Sequence, residues 1–342
     1  MLERCYVLRK DGWDEKGGLY QRMIGKTKIE SIRRYLRSKK RVFINNIIVT
    51  LPSNTRLINS EGNTFDPRSV KKTEPVEIQL PSEYNSVGLI DGQHRVFSYY
   101  EGGNHESDFA TLRQQQNLLV TGIIYPPSIK PEDKTKFEAT LFLEINATQT
   151  NAKSDLKQAI SLLLDPFSNV SIAKNIVNRL NEGGPLADRF ERFFFDKSKL
   201  KTTSVVSYGV RPLVKLQGSD SLFRVWDHPS KDDLGKENNP PLLQEYIKFC
   251  AKEINLFIGA VKDGIPSERW TSDKKQKDRI LTTTNINGFI NCLRQIVDHD
   301  KTHAIQYYKS RLKDIDKFPF KNYRSSQYVR MGEDMYKKYF AK

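Results

Sequence analysis

The sequence predicts an α+β fold, in which a small mixed α/β domain over residues 1–152 precedes a mainly helical domain over residues 153–342. Three observations predict it. Short β-branched segments bounded by Gly, Pro and Asn are confined to the first 125 residues, as is typical of strands. From Pro131 onward, apolar residues recur at the helical period. A chain of 342 residues also exceeds what one hydrophobic core usually organises.

The first domain is expected to begin with a basic amphipathic helix. Thr27 and Glu30 have the spacing of a capping box. The apolar residues that follow share one predicted helical face: Ile29, Ile32, Tyr35 and Leu36. The polar face is expected to carry four basic side chains: Arg33, Arg34, Arg37 and Lys40.

The remaining elements follow from hydrophobic pattern and turn residues. Strands are predicted at Val42–Leu51, Val76–Leu80, Val87–Ile90 and Leu118–Tyr125. An exposed loop or hairpin is expected over residues 54–75, a helix from the turn after Ile90 to about Glu101, and a polar loop over residues 103–116. Further helices are predicted at Pro131–Glu144, from Ser154, and over Ile172–Leu180, followed by apolar stripes at residues 243–261 and 286–296.

The charge balance favours a polyanionic partner. The formal net charge is +15, and residues 21–41 hold nine basic residues against the single acidic Glu30. Residues 301–342 hold 11 basic and four acidic residues, and tyrosines lie among them: Tyr307, Tyr308, Tyr323, Tyr328 and Tyr336. Basic side chains bind phosphates and aromatic rings stack on unpaired bases. The alternative is solvated faces with a few core aromatics, but two such stretches favour nucleic acid.

Other classes are disfavoured. No apolar run approaches the roughly 20 residues of a membrane span, and the N-terminus lacks the apolar stretch of a signal peptide. The three cysteines are far apart and indicate buried thiols in a reducing compartment. His299 and His303 have metal-ligand spacing but no third ligand, so no metal site is predicted. A cytoplasmic protein without membrane association is therefore expected.

The segment Ile90-Asp91-Gly92-Gln93-His94-Arg95 is the predicted functional centre. It joins a strand to a helix, and glycine permits a sharp turn or close approach of a ligand. With Asp91 as N-cap, the remaining N–H groups and the helix dipole would face an anion. Arg95 offers a planar fork for phosphate oxygens, His94 donates a hydrogen bond or moves a proton, and Gln93 orients a ligand or water. The structural alternative is that Asp91 only caps, Arg95 pairs with a carboxylate, and His94 lies in the wall.

Asp91-Gly92-Gln93-His94-Arg95 is identical to the signature of the DGQHR-domain proteins, which include the DndB proteins of bacterial DNA phosphorothioation systems. The resemblance extends upstream through residues 21–22, the helix around Ile32 and the strand at residues 47–49. It extends downstream to Phe142–Thr150, and it covers roughly residues 20–165. The family resembles the ParB and sulfiredoxin fold, where a Gly-x-x-Arg turn binds nucleotide phosphates. The resemblance thus implies a ParB/sulfiredoxin-like first domain with Gly92 and Arg95 as a phosphate-binding pair.

The second block of the resemblance adds further candidate ligands at a helix C-terminus: Asn146, Thr148 and Gln149. These polar side chains suit a base, a ribose or a phosphate, and capping the helix is an equal alternative for Asn146. The chain contains no Gly-x-x-x-x-Gly-Lys loop, which argues against vigorous NTP hydrolysis. The implied cofactor is ATP or another NTP, with Mg²⁺ if it is hydrolysed.

The leading expectation is a DNA-associated, nucleotide-binding component or regulator of a bacterial DNA-modification or antiphage defence locus. Other proteins of that system and an oligomer are the implied partners. Two alternatives stay open: an NTP-dependent accessory enzyme acting on DNA, ATPase- or nickase-like, or a non-catalytic module that binds an anionic group of a partner protein. In an enzyme, the candidate catalytic residues are Asp91, Gln93, His94 and Arg95. The candidate nucleic-acid-binding residues are Arg22, Arg33, Arg34, Arg37 and Lys40.

Overall fold

The computed structural model describes residues 5–6, 24–73, 75–149, 154–191, 196, 198–236 and 238–341, with the backbone alone at residues 147–149 and 154–156. The chain divides into two compact units, Met1–Leu156 and Lys157–Lys342. The fold is mixed α+β, and every named strand belongs to the first unit. In the described part of the chain, no helix is long and apolar enough to cross a membrane.

A four-stranded mixed sheet forms the centre of the first unit. Its strands are β1 (Cys5–Tyr6), β2 (Ile47–Leu51), β6 (Val87–Asp91) and β7 (Val120–Ile124), in the order β1-β6-β2-β7. β1 pairs parallel with β6, β6 antiparallel with β2, and β2 parallel with β7. Alternate apolar residues of these strands are buried together with Val96. A second sheet holds β3 (Arg56–Ile58), β4 (Thr64–Phe65) and β5 (Glu77–Gln79), and its β3–β4 hairpin lies in the segment expected as a loop or hairpin.

The helices of the first unit are α1 (Lys26–Lys39), α2 (Gln93–Phe97), α3 (Glu106–Gln115) and α4 (Pro131–Gln149). α1 packs against α2, and Leu36 of α1 is buried with Tyr99 and Phe109. α3 lies where a polar loop was expected, and that prediction was wrong. The segment has few apolar residues, and Phe109 is the one α3 residue that is buried.

Two further boundaries differ from expectation. β2 begins at Ile47, whereas a strand from Val42 was predicted. The Ile44 side chain is 79% exposed, and Ile47 is where backbone pairing with Leu119 begins. α2 ends at Phe97 and not near Glu101, because the backbone then turns through residues 98–104.

α5 (Ser154–Leu164) spans the boundary, and the second unit is helical. Its helices are α6 (Asn169–Glu182), α7 (Thr202–Ser204), a π-helical segment (Val205–Val210), α8 (Arg211–Leu213), α9 (Leu222–Val225), α10 (Pro240–Asp263), α11 (Thr283–His299), α12 (Ile305–Arg311) and α13 (Tyr328–Tyr339). Short 3-10 turns occur at residues 67–69, 231–233, 267–269, 315–317, 320–322 and 325–327. The predicted stripes lie in α10 and α11 and are buried in one large core.

The polar, Pro-rich segment Pro229–Pro241 contributes to the large core of the second unit. Leu234 is buried within it, and Pro240 and Pro241 form the first turn of α10, where Asn239 caps the helix. A proline at the first helical position lacks an N–H that would have no partner there in any case. The segment therefore packs on the helical unit and is not a linker between two helical bundles.

Candidate functional site

The motif forms a turn built on a left-handed glycine. Asp91 is the last residue of β6, and Gly92 follows with φ 92° and ψ 13°. Gly92 is the N-cap of α2, and no side chain caps this helix. The expectation that Asp91 is the N-cap was wrong. Asp91 is still in the β-strand, and its carboxylate binds Arg95 instead of the first amides of the helix. The chain changes direction at the next residue, Gly92, where the helix starts.

The Asp91 carboxylate binds the guanidinium of Arg95. Arg95 Nη2 donates to Asp91 Oδ2 at 2.8 Å and to the carbonyl oxygen of Asn46 at 2.8 Å. The ion pair is largely withdrawn from solvent, with 17% of the Arg95 side chain exposed. A Cβ on Gly92 would lie 3.0 Å from Arg95 Nη2 and 3.0 Å from Ile47 Cγ1. Glycine is therefore required twice, by the positive φ and by the closeness of the guanidinium.

His94 binds the N-cap residue of α1, which lies far away in the sequence. The Gly25 amide donates to His94 Nε2 at 3.2 Å, so this ring nitrogen carries a lone pair and the proton of the neutral ring is on Nδ1. Gly25 is the N-cap of α1 and has no side chain that could cap the helix. The predicted capping box at Thr27 and Glu30 was wrong, because the helix begins at Lys26 and Thr27 lies inside its first turn.

One buried side-chain atom each of Arg95 and Asn46, beside this turn, has no hydrogen-bond partner in the described part of the chain. The two atoms are Arg95 Nε, a donor, and Asn46 Oδ1, an acceptor. The two residues are adjacent, since Arg95 Nη2 donates to the Asn46 carbonyl. Gln93 is half-buried at the start of α2. Because α2 has only five residues, its dipole contributes less at the turn than the longer helix that was expected.

The expectation that Arg33 lies on the exposed polar face of α1 was wrong. Its side chain is buried, with the residue 6% exposed, and its guanidinium donates to four backbone carbonyls that follow α2: Ser98, Tyr100, Gly102 and Asn104. It also lies 3.5 Å from the ring centre of Phe109. Burial lowers the pKa of this guanidinium, and the neighbouring charges of Glu106 and Tyr100 oppose the shift. Arg33 thus holds the segment after the motif and leaves the nucleic-acid-binding set.

The other candidate nucleic-acid residues fall into three groups. Arg34 and Lys40 are exposed. Arg37 is paired, since its Nε donates to Asp108 Oδ2 of α3 at 2.9 Å. Arg22 lies outside the described residues.

The second block of the resemblance, Phe142–Thr150, is partly described. Asn146 Nδ2 donates to the Phe142 carbonyl at 2.8 Å, a bond to the preceding turn of the same helix. α4 continues to Gln149, so Asn146 lies one turn before the helix end. The side chains of Thr148 and Gln149 lie outside the described set.

Four of the five tyrosines of the C-terminal basic stretch lie in or against the helical core, as the alternative of core aromatics describes. Tyr308 is fully buried, and three others pack against the helical core: Tyr307, Tyr323 and Tyr336. Tyr328 is half-buried and contacts the exposed Tyr208 at 6.1 Å between ring centres. This stretch alternates short helices with 3-10 turns. Its hydrophobic pattern therefore has no constant period, and it could not distinguish core tyrosines from surface tyrosines.

A buried carboxylate that sequence reasoning missed lies on the same sheet. Glu138 of α4 is 1% exposed, and its Oε1 accepts from three hydroxyls: Tyr6 at 2.8 Å, Thr50 at 2.7 Å and Tyr125 at 2.9 Å. Burial and the Glu138 charge raise the pKa of both tyrosines. A Cβ on Gly88 would intrude on this cluster. The available signal was Gly88 itself, since a glycine inside a strand often marks a close approach.

Comparisons with protein-family models, curated proteins and solved structures found no match to this chain. The resemblance to the DGQHR-domain family therefore rests on the motif residues themselves. Among the described residues, no group of three or more His, Cys, Asp or Glu side chains is arranged to hold a metal ion. The three cysteines are buried free thiols.

Gly92→Ala should destabilise the first unit more than Gly62→Ala. Both glycines have positive φ, 92° and 82°, which costs an alanine roughly 1–2 kcal/mol. A Cβ at Gly62 meets open space, whereas one at Gly92 presses on Arg95 and Ile47. We expect an additional loss of about 1–3 kcal/mol at Gly92. Hydrogen exchange of the amides of β2 and β6 measures the free energy of opening. Equal decreases in the two variants would show that the contact with the Arg95 guanidinium does not add to the cost of alanine at position 92.

Arg33→Ala should lower the free energy of opening of α1 by about 3 kcal/mol, because buried carbonyls lose a charged donor. Arg34→Ala is the matched control, since Arg34 is the exposed neighbour on the same helix. Its effect should stay within about 0.5 kcal/mol. Hydrogen exchange of α1 amides gives both values. An effect of Arg33→Ala as small as that of Arg34→Ala would contradict the bracing role of Arg33.

Proposed function

We propose that this chain is a DNA-associated protein that contacts duplex phosphates through the exposed face of α1. The observation that carries the proposal is the composition of that face. Three small or basic residues spaced along it are exposed, Thr27, Ser31 and Arg34. Ser38 is exposed on the same face, and its hydroxyl donates to the Tyr35 carbonyl of the helix. Exposed cations flank them or follow the helix end: Lys26, Lys28, Lys39, Lys40 and Arg41. Hydroxyl and cationic side chains of this kind are the usual donors to phosphate oxygens.

Among the described residues, no acidic side chain pairs with the exposed cations of this face. None of the exposed cations of α1 or Arg41 forms an ion pair with a described residue, and Glu30 is the one acidic residue of the helix. By contrast, Arg37 and Arg33 on the other sides of the helix are engaged with α3 and with backbone carbonyls. The net charge of +15 supports attraction to a polyanion.

In this proposal, the turn formed by the motif Asp91–Arg95 fixes the position of α1. His94 holds the first turn of the helix, and Arg33 joins its middle to the segment after α2. A rigid platform reduces the ordering cost of binding. The resemblance to DGQHR-domain proteins supports a ParB/sulfiredoxin-like fold and a place in a DNA-modification or antiphage defence system. Regulation by DNA binding is the role best suited to an exposed basic helix.

Replacing three cations of the α1 face should weaken DNA binding and flatten its salt dependence. For Lys28→Gln/Arg34→Gln/Lys39→Gln, we expect the slope of log K against log salt to fall by up to about 2.7, which is about 0.9 for each phosphate that the protein no longer neutralises. Fluorescence anisotropy of a labelled duplex over a salt series measures this. The matched control is Lys274→Gln/Lys275→Gln/Lys277→Gln, which removes three exposed lysines of the second unit.

The control has the same net charge and should bind like the unmodified protein. Equal weakening in both triple variants would show attraction by net charge alone. Absence of binding by the unmodified protein at low salt would contradict the proposed function.

A second candidate function is nucleotide binding at the turn, as the motif resemblance implies. It is favoured by the two buried atoms without partners, Arg95 Nε and Asn46 Oδ1, because a phosphate oxygen would accept from Arg95 Nε and a ribose hydroxyl would donate to Asn46 Oδ1. In that case the turn serves ATP or another NTP, and Gly92 and Arg95 are its nearest protein groups. Internal pairing of Arg95 with Asp91 competes with this role.

Arg95→Lys should reduce Mg-ATP or Mg-CTP affinity by about tenfold or more if the turn binds nucleotide. Lysine keeps the charge that pairs with Asp91, but it has no Nε–H and no planar fork. Calorimetry measures the affinity, and hydrogen exchange of β6 verifies that the turn stays folded. Arg56→Lys, in β3, is the control. Unchanged binding in Arg95→Lys, or no heat with the unmodified protein, would reject the nucleotide site.

A further inference from the structure

The outer edge of the four-stranded sheet is formed by β7. In the described residues, β7 pairs on one side with β2 and has no strand on the other. The Leu119 carbonyl accepts from the Ile47 amide, and the Tyr125 amide donates to the Leu51 carbonyl. Because successive residues of a strand direct their backbone groups to opposite sides, the groups of Leu119 and Tyr125 point to β2. Those of Val120, Gly122 and Ile124 therefore point outward.

This edge is apolar at its surface. Leu119 is 63% exposed and Val120 38%, and Ile44, three residues before β2, is 79% exposed. Residues 42–55 and 114–129, which supply β2, β7 and their flanks, contain no charged residue, although 28% of the chain is charged. Soluble proteins usually protect a sheet edge by charge, proline, a bulge or a very short strand.

The other described edges carry such protection. β1 and β4 have two residues each. β5 has three residues, all exposed, and includes the charged Glu77. β7 has five residues without charge or proline. Among the described strands, the unprotected edge is thus specific to β7.

We propose that β7 pairs antiparallel with β7 of a second copy of this chain, about a two-fold axis at Gly122. The outward groups then match by symmetry: Gly122 with Gly122 of the other copy, and Val120 with Ile124. Each pair exchanges two hydrogen bonds, as in the narrow pairs of an antiparallel ladder. A two-fold contact uses the same patch on both copies, so a strand whose outward residues are centred on one glycine is self-complementary.

Charge supports a second copy as the occupant. Two copies that each carry +15 repel one another over most of their surfaces, and an uncharged edge is where they approach at least cost. The same uncharged edge offers nothing to a phosphate backbone. Because the contact uses backbone hydrogen bonds and apolar side chains, its strength should change little with salt. The proposal does not depend on DNA or nucleotide binding.

Sedimentation equilibrium of the full chain in high salt, without nucleic acid, tests this proposal. The unmodified protein should show a monomer–dimer equilibrium in the micromolar range expected of a small interface. Val120→Pro removes one outward N–H and leaves the bonds to β2 intact, and a proline is tolerated on an edge strand. Leu119→Lys places a charge on the exposed edge. Each should raise the dissociation constant about tenfold or more.

Ile78→Lys is the matched control, because Ile78 is a similarly exposed apolar residue, 53%, on the edge strand β5. It should leave the dissociation constant unchanged. Hydrogen exchange of β2 verifies that the variants fold, and β7 amides of the unmodified protein should gain protection as concentration rises. A protein that is monomeric at all concentrations would overturn the proposal. So would a dimer that Val120→Pro and Leu119→Lys leave intact.

Discussion

The first unit depends on one backbone constraint, the left-handed conformation of Gly92. The reversal at this residue turns the chain from β6 into α2 within a single step, and it brings Arg95 back beside Asp91. The guanidinium then reaches the carbonyl of Asn46, at the entrance to β2, while His94 reaches the amide of Gly25, at the entrance to α1. A residue with a side chain at position 92 would meet both strain and the guanidinium. The motif is therefore a junction in which three chain segments are joined by charged or directional bonds.

The sequence predicted the elements whose signals are local. The strand before the motif and the amphipathic helices α10 and α11 follow from hydrophobic period. The β3–β4 hairpin lies where a loop or a hairpin was expected. The α+β class was confirmed. Predictions failed where a tertiary contact decides the outcome. Arg33 has the helical position of a flanking residue, yet distant carbonyls and the Phe109 ring draw it inside. α3 has little hydrophobic pattern of its own and is held by Phe109 and by ion pairs to α1 and within the helix.

The candidate site shows the same division. A strand, a glycine turn and a helix could be recognised from five residues, and so could the need for glycine. The partners of these residues could not be recognised, because Asn46 and Gly25 are 49 and 69 positions away from Arg95 and His94. The Glu138 cluster illustrates the limit further. One carboxylate joins hydroxyls from β1, β2 and the end of β7, and neither its helix nor its neighbours in sequence indicate that it is buried.

The bonds of Arg33 also have a consequence for the order of folding. Its four carbonyl acceptors lie 65 to 71 residues further along the chain, and the histidine that receives the Gly25 amide lies 69 residues further. During synthesis, α1 leaves the ribosome long before these partners exist. Until they arrive, its start is uncapped and its buried arginine has only water to bind. A helix of 14 residues is marginal on its own. The basic helix therefore acquires a fixed conformation only when the segment that carries the motif has also been made, so a nascent chain cannot present this surface in its final form.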